Sequence, residues 1–358
     1  MMKFKEILKI AKKEEVTKEE AYEILKGAWF SLERTLELFR IACEVRAEHN
    51  DHVALYVCGG PHRECRLDPL CKYCWVNNPG FKWGKEDIVS PEKLDRALDE
   101  LYSKYNVQTP YVLIGGGSDL KSDGKEIVDY VDNLGETIRK HGLQLTITGL
   151  PYISLENLEK LKDLGVREIG CPFETLDREV FYDVKPGDSL ERRIEQAKLA
   201  DKAGLGFYGA LMIGIHDLTE RQTPLDSVLK DYVEHLFMLK NFEKLSVCIY
   251  SFMPLPGVPL ADKHKTLQLE VAKVGALARL IHKDVNIDIS TNDLGLSLMA
   301  GANMVTWQYI SLQQEVRQWW SASASKVLPV GSIYAIIFQE NVLRHIERLG
   351  LKIKTWKR

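Results

Sequence analysis

The sequence predicts an α/β protein whose centre is a (β/α)8 barrel of the TIM type. Short runs rich in β-branched residues alternate with helical segments over residues 51–308, which indicates parallel strands joined by helices. Eight such runs are present, and eight is the number of strands that closes a (β/α) barrel. A doubly wound open sheet is the alternative that the same alternation allows.

The predicted strands lie at residues 52–60, 109–117, 143–149, 166–174, 205–214, 244–252, 285–290 and 302–307. Helices are expected between them at about 91–105, 124–141, from an N-cap at Ser154, 188–203, 226–241, 265–283 and 293–300. This regular succession of strand and helix over most of the chain places the barrel.

Two extensions are expected to flank the barrel. Residues 1–50 have the pattern of helices, and Thr17 followed by Glu20 has the spacing of a capping box. Residues 309–358 are also expected to be helical and to pack outside the barrel. The predicted organisation is therefore an N-terminal helical extension, a barrel over 51–308 and a C-terminal helical extension.

Composition narrows the functional class. The chain has 358 residues, of which 45% are hydrophobic and 28% are charged, and its formal net charge is −3. These values are ordinary for globular proteins and give no sign of a nucleic-acid or membrane partner. The first residues lack a signal-peptide pattern, and no apolar run reaches the roughly 18 residues of a membrane span. A cytoplasmic protein is expected, and the seven cysteines fit a reducing compartment.

Alternation within the strands predicts a polar barrel interior. In the run at 285–290 the apolar residues suit the outer face, so the polar ones between them point inward. The interior candidates for contact with a small-molecule substrate are Thr146, Thr148, Tyr250, Asp288, Ser290 and Asn292. A hydrogen-bonded structural layer is the alternative explanation for these polar residues.

Three cysteines form the most informative motif. Cys65, Cys71 and Cys74 follow the first strand, which places them on the carboxyl-terminal face of a barrel, where active sites occur. Soft thiolate ligands select zinc, copper(I) or an iron–sulfur cluster. Structural zinc needs four protein ligands, and His62 is a candidate for the fourth. A 4Fe–4S cluster held by three cysteines keeps one iron open for chemistry.

This segment resembles the cluster-binding loop of radical S-adenosylmethionine (SAM) enzymes, including the aromatic Tyr73 before the last cysteine. Its C-x5-C-x2-C spacing is similar to that of the HmdB family, which is associated with biosynthesis of the iron–guanylylpyridinol cofactor of the iron-only hydrogenase. The wider chain resembles the group of biotin synthase, the HydE maturase and methylornithine synthase. The resemblance implies a 4Fe–4S cluster, SAM, and a low-potential electron donor such as ferredoxin or flavodoxin.

The same resemblance implies reductive cleavage of SAM to methionine and a 5′-deoxyadenosyl radical, which removes a hydrogen atom from substrate. It implies SAM contacts for Tyr73, Gly116, Gly117, Ser118, Asp119, Glu174, Arg193, Met212 and Ile213. Ser118 stands where the related motif has an acid, so Asp119 is the substitute acid, and Arg192 competes with Arg193 for the SAM carboxylate. The fifth-strand glycines Gly209 and Gly214 allow either close ligand approach or tight barrel packing.

Competing interpretations remain open at the level of sequence. The chain lacks cysteines at the strand positions where biotin synthase holds a second cluster, so such a cluster is not expected. The other four cysteines are expected to be small buried hydrophobic residues. Within the radical SAM class, a HydE-like maturase or a carbon-skeleton rearrangement competes with the HmdB-like reading. Outside it, the alternative is a non-catalytic scaffold stabilised by zinc.

Overall fold

The chain forms a closed parallel barrel, which confirms the predicted fold class. The computed structural model describes residues 4–79, 88–105, 109–149, 152–243, 246–290, 293–311, 326–330, 333–337 and 342–354. The barrel strands are β1 (His52–Pro61), β2 (Tyr111–Gly115), β3 (Gln144–Thr148), β4 (Val166–Gly170), β5 (Gly206–Ile213), β6 (Ser246–Ser251), β7 (Asn286–Ser290) and β8 (Met304–Ser311). Each pairs in parallel with the next, and β8 pairs with β1, so the sheet is closed rather than open.

Helices cover the outside of the barrel and its N-terminal side. They are α1 (Phe4–Lys13), α2 (Lys18–Trp29), α3 (Leu32–His49), α4 (Pro91–Tyr105), α5 (Lys125–Asn133), α6 (Gly135–His141), α7 (Leu155–Asp163), α8 (Arg178–Val184), α9 (Leu190–Lys202), α10 (Leu225–Leu239), α11 (Gln268–Ile281) and α12 (Leu294–Met299). The capping box of Thr17 and Glu20 is present, and Ser154 caps α7 as predicted. None of the helices in the described ranges has the length and apolarity that a membrane span requires.

Two helical details differ from the prediction. The helix expected over 124–141 is divided at Leu134 into α5 and α6. Helix α8 was not predicted; it begins because the Asp177 carboxylate accepts hydrogen bonds from the backbone amides of Glu179 and Val180. This helix packs beside the cysteine loop, so it bears on the functional site.

The expectation of a helical extension over 309–358 is corrected by the structure. The described residues there form β9 (Lys326–Val330), β10 (Ile333–Ile337), α13 (Val342–Arg348) and β11 (Lys352–Ile353). β9 and β10 pair antiparallel to each other, β10 pairs antiparallel to β8, and β11 joins β1 in parallel. The β-branched runs on either side of Gly331-Ser332 are a hairpin pattern, and strand pairing prevails here over helical periodicity.

The two faces of the barrel strands are as the alternation predicts. Ile287 and Ile289 belong to the large core between the barrel and its helices, and Ile289 packs directly on Gly275 of α11. Asp288, between them, accepts hydrogen bonds inside the barrel. The carboxyl ends of the strands and the loops after them therefore frame a polar interior.

Candidate functional site

The three cysteines of the predicted cluster motif meet in the loop after β1. Cys65, Cys71 and Cys74 are free, partly buried thiols. Burial, together with the neighbouring cysteines, raises the pKa of Cys71 to about 11 and that of Cys74 to about 12. Like charges act on one another in this way only when they are close. The loop therefore brings the three sulfur atoms to one locality.

One side of the cysteine loop is fastened to the segment after β2 by backbone contacts. The amide of Arg66 donates to the Ser118 carbonyl at 2.8 Å, and the amide of Gly117 donates to the Arg63 carbonyl at 3.1 Å. A Cβ on Gly117 would lie 2.0 Å from the backbone nitrogen of Cys65. Glycine is required there so that the two chains can touch. This contact explains the glycine at position 117 without any ligand.

The other side of the loop rests on the connection between α8 and α9. The amide of Lys72 donates to the Val184 carbonyl at 2.9 Å. A Cβ on Gly187 would lie 2.1 Å from the Pro69 carbonyl oxygen. Nothing in the sequence pattern signalled this contact, because it joins segments more than a hundred residues apart. The α8–α9 connection thus forms one wall of the site.

His62 is not placed as a fourth metal ligand. Its Nε2 lies 3.3 Å from the Thr148 carbonyl oxygen, and the ring packs on Gly116. Burial lowers the pKa of His62 to about 3, so the imidazole is neutral. The ring is thus occupied between β2 and β3.

The spacing of the sulfur atoms also departs from a zinc site. Two ligands of one zinc ion, each about 2.3 Å away, are at most about 4.6 Å apart. Within the described residues, the His, Cys, Asp or Glu trio whose ligand atoms all lie within 4.8 Å is Asp95, Asp99 and His141, on the outer surface. The three cysteine sulfurs do not all lie within 4.8 Å of one another.

Glu174 is the centre of a second group of site residues. Its φ is 69°, a left-handed conformation shared by no other non-glycine residue in the described ranges. The Tyr73 hydroxyl donates to its Oε1 at 3.2 Å, and the Tyr250 hydroxyl donates to its Oε2. Side chains held in this backbone region cluster at functional sites, where surrounding contacts compensate for the strain. The structure thus joins three predicted residues from three separate segments.

A buried chain of charges extends from Glu174 towards the segment after β2. The Lys185 side chain is only 1% exposed, and its Nζ lies 3.8 Å from Glu174 and 3.4 Å from Asp188. Asp188 in turn accepts hydrogen bonds from Arg193 Nε and Nη2 at 2.9 and 2.6 Å. Sequence reasoning missed Lys185 and Asp188, which carry no motif of their own. Both residues join the site only because the α8–α9 connection folds against the cysteine loop.

Arg193 and Ser118 are in direct contact. Arg193 Nη2 donates to the Ser118 hydroxyl at 3.1 Å, and Nη1 donates to the Pro172 carbonyl at 2.9 Å. Arg192 instead lies on the surface, where it donates to the Leu120 carbonyl at 2.9 Å. Of the two competing arginines, Arg193 is therefore the one that faces the site.

Asp119 points away from this group. Its Oδ1 accepts the amide of Lys121 at 2.8 Å, and its Oδ2 pairs with Arg66 at 3.2 Å. These contacts stabilise the turn after β2. Ser118, rather than Asp119, presents its side chain to Arg193.

The fifth-strand motif divides between the two faces of the barrel. Met212 packs in an apolar cluster beside Tyr73 and Tyr250, next to Glu174. The Ile213 side chain is fully buried in the core between strands and helices. Gly209 faces Leu239 of α10, so its missing side chain serves helix packing.

Asp288 is the hub of the barrel interior. The Tyr56 hydroxyl donates to its Oδ2 at 2.5 Å, and the Ser290 hydroxyl donates to the same oxygen at 3.2 Å. Cys248 Sγ lies 3.7 Å from that oxygen. Tyr56 and Cys248 were not predicted for the interior as polar residues, although both lie at inward positions of their strands. Asp288 pairs in register with Cys248, two residues before Tyr250, so the Asp288 carboxylate lies below the Glu174 group.

The remaining substrate candidates separate. Thr148 ends β3 and is half-buried at the site end of the barrel. Thr146 donates to Glu168 at 3.0 Å in the lower part of the interior, away from the cysteine loop. Asn292 lies outside the described residues. The polar interior therefore borders the site at the level of Thr148, whereas the level of Thr146 lies away from it.

Comparison with known proteins agrees with this geometry. Residues 60–225 match the model of the Radical SAM superfamily. The uncharacterized protein MJ0785 of Methanocaldococcus jannaschii is 30% identical over 271 residues, covering 74% of this chain and 66% of that protein. The [FeFe] hydrogenase maturase subunit HydE of Thermotoga maritima is 24% identical over 311 residues, covering 84% and 82%.

The crystal structure of methylornithine synthase (PylB) has the same fold, with a TM-score of 0.71 at 18% identity, covering 98% of this chain and 97% of that one. The chain belongs to the radical SAM superfamily of enzymes. Membership implies a 4Fe–4S cluster and SAM as cofactors. The residues fit both groups: three adjacent thiols supply soft ligands, and a buried carboxylate, arginine and serine surround the space beside them.

Proposed function

We propose that this chain cleaves SAM reductively and acts, like the HmdB family, on a small molecule in the biosynthesis of the iron–guanylylpyridinol cofactor. The observation that carries the proposal is the meeting of the cysteine trio, the Tyr73–Glu174–Tyr250 group and the Ser118–Arg193 pair at one mouth of a closed barrel. When bound, the cluster and SAM would supply a 5′-deoxyadenosyl radical that removes a hydrogen atom from substrate.

The cysteines would hold three of the four irons. Cys65, Cys71 and Cys74 are the cysteines of the described chain in the loop after β1, and they would hold the cluster. A cluster held by three protein thiolates would be able to bind SAM. The loop is held by backbone contacts on both sides, which preorganises it before metal binds.

The protein residues around the loop would bind and orient SAM. A carboxylate accepts two hydrogen bonds at once, so Glu174 is suited to the two ribose hydroxyls. Arg193 and Ser118 are donors suited to the methionyl carboxylate, and the buried ammonium of Lys185 adds positive charge beside them. The Met212 side chain offers an apolar surface for the adenine.

The barrel interior would hold the substrate. Asp288 with Tyr56 and Ser290 forms a polar end below the Glu174 group, and Thr148 and Tyr250 border the same space. A closed barrel excludes water and limits which C–H groups a radical can reach. A small polar molecule with hydrogen-bonding groups is the substrate class that this interior suits.

The HmdB-like assignment draws on the C-x5-C-x2-C spacing together with the likeness to a hydrogenase maturase. A HydE-like maturation reaction and a carbon-skeleton rearrangement are the competing reactions in the same class. The proposed source of electrons is a low-potential donor such as ferredoxin or flavodoxin. The proposed location is the reducing cytoplasm.

Anaerobic reconstitution with iron and sulfide tests whether the chain holds a cluster and cleaves SAM. We expect a brown protein with about four irons per chain that releases 5′-deoxyadenosine from SAM on reduction. The variant Cys71→Ala should lose both properties, and Cys43→Ala, which removes a thiol on α3, should keep them. Colourless protein that holds a single zinc ion would support the scaffold alternative instead.

Product analysis with candidate pyridinol precursors tests the HmdB-like choice of substrate. Deuterium placed on the correct precursor should appear in 5′-deoxyadenosine. If SAM is cleaved but no pyridinol precursor transfers deuterium, the chain is a radical SAM enzyme of another pathway.

A further inference from the structure

A buried aspartate outside the barrel holds the segment that follows Glu174. Asp231 lies on α10, and the Thr175 hydroxyl donates to its Oδ2 at 2.6 Å. The amide of Leu176 donates to its Oδ1 at 3.1 Å. Both donors belong to the two residues directly after Glu174, so one carboxylate clamps the backbone on which that side chain stands.

The Asp231 carboxylate is charged in the fold. Burial by itself raises its pKa, but the nearby His216 and the hydrogen bond from the Thr175 hydroxyl outweigh burial, and the pKa is lowered overall. His216 Nε2 lies 3.3 Å from Oδ2. Hydrogen bonds to an ionised acceptor are about twice as strong as neutral ones. The clamp on residues 175–176 is therefore stronger than an ordinary turn contact.

The next residue of the same helix holds the neighbouring strand end. The amide of Gly214, which follows β5, donates to the Tyr232 hydroxyl at 3.0 Å. Strand β5 is joined to Glu174 in turn, because the amide of Met212 donates to the Glu174 carbonyl at 3.1 Å. Adjacent residues of α10 thus fix both strand ends that border the Glu174 carboxylate.

The left-handed backbone of Glu174 explains why such a clamp is needed. A non-glycine residue in this region is strained and persists only when several surrounding contacts hold it there. The contacts that do so at Glu174 are the Met212 amide on its carbonyl and the Asp231 clamp on the two residues after it.

We propose that Asp231, acting through Thr175 and Leu176, is a positioning residue that holds Glu174 ready for the ribose of SAM. It touches neither ligand nor cluster; it acts from behind the barrel wall. This inference rests on the proposed function, since it assigns the nucleoside subsite of that site. It concerns ligand affinity, and it leaves the cysteine loop untouched.

The variants Thr175→Val and Asp231→Asn test the proposal, with Thr175→Ser as the conservative variant. Valine removes the hydroxyl with little change of shape, and asparagine keeps one acceptor and removes the charge. The matched control is Thr35→Val, which removes another fully buried hydroxyl, bonded to the Ala28 and Ser31 carbonyls between α2 and α3.

Binding is measured by anaerobic calorimetry on the cluster-loaded protein with two probes, SAM and 5′-deoxyadenosine. Thr175→Val and Asp231→Asn should each lower the binding affinity for both probes about tenfold, because both probes carry the ribose. The double variant should weaken binding by much less than the hundredfold product of the two single effects, because both single variants disrupt the same contact between Thr175 and Asp231. Thr175→Ser should bind like the unaltered chain, and iron content and absorption should be equal in all variants.

The outcomes separate the two ideas. If the unaltered, cluster-loaded chain binds neither probe, the proposed function fails. If it binds both and Thr175→Val binds them equally well, or if Thr35→Val weakens them as much, the positioning role is overturned. A loss confined to SAM would also overturn it, because the effect would then lie at the methionyl end.

Discussion

Two buried glutamates at opposite ends of one segment show how this barrel divides structure from function. Glu168 lies within β4 and accepts hydrogen bonds from the Ser246 amide at 2.9 Å, the Ser246 hydroxyl at 2.8 Å and the Thr146 hydroxyl at 3.0 Å. Glu174 lies beyond β4, has a left-handed backbone and meets two tyrosine hydroxyls. Both side chains are almost inaccessible.

The difference lies in what satisfies each carboxylate. The partners of Glu168 are strand residues at fixed positions of the barrel wall, so its acceptors are matched by the fold itself. The hydrogen-bond donors to Glu174 are tyrosine hydroxyls, which can rotate towards another acceptor. Lys185 Nζ lies 3.8 Å away, and the backbone of Glu174 is strained. A carboxylate whose hydrogen bonds come from barrel strands stabilises the barrel, whereas we propose that Glu174, held in strain beside rotatable donors, binds a ligand.

The largest expected effect is on stability, at the lower glutamate. Glu168→Ala should lower the free energy of unfolding by about 3 kcal/mol, because it leaves a buried amide and two hydroxyls without an acceptor. Urea denaturation of the purified protein measures this. SAM affinity of the folded variant should be unchanged; a loss of affinity would break the contrast between the two positions.

The next effect is on binding, at the upper glutamate. Glu174→Ala should weaken SAM binding by about thirtyfold, equivalent to about 2 kcal/mol, because under the proposed function the ribose loses its carboxylate acceptor. Unfolding free energy should fall much less than for Glu168→Ala. Calorimetry and denaturation of the same preparation check both values, and equal destabilisation at the two sites would contradict the comparison.

Replacement by glycine rather than alanine should change stability in opposite directions at the two glutamates. Glu174→Gly should be about 1 kcal/mol more stable than Glu174→Ala, because glycine adopts a left-handed backbone without strain. At the extended position 168 the order should reverse, with glycine less stable than alanine by about 0.5–1 kcal/mol. The four variants are compared by thermal or urea unfolding. The same order at both positions would show that the backbone of Glu174 is not strained.

The smallest effect is expected from the tyrosines. Tyr73→Phe and Tyr250→Phe should each change SAM affinity only about threefold, because each removes one neutral donor to Glu174 and leaves the carboxylate in place. The control is Tyr102→Phe, which removes a hydroxyl bonded to the Thr109 carbonyl on the outer side. A thirtyfold loss in either tyrosine variant would mean that the tyrosines bind the ligand themselves.

Local pattern was sufficient for most of the fold. The alternation of apolar runs and helical segments predicts all eight barrel strands, and capping residues such as Ser154 and Thr17 mark helix starts. The strand period also predicts the inward position of Asp288. The C-terminal strands β9 and β10 were missed because pairing partners, rather than local periodicity, decide such short runs.

What the sequence by itself determined is the ligand chemistry: three closely spaced thiols, and motif residues such as Glu174 and Arg193 in the order of a known family. Only the tertiary structure decided that Arg193 rather than Arg192 faces the site, that Ile213 points away, and that Lys185 and Asp188 connect the parts. The physical reason is that spacing along the chain sets which atoms are available, whereas burial and pairing between distant segments set which of them meet.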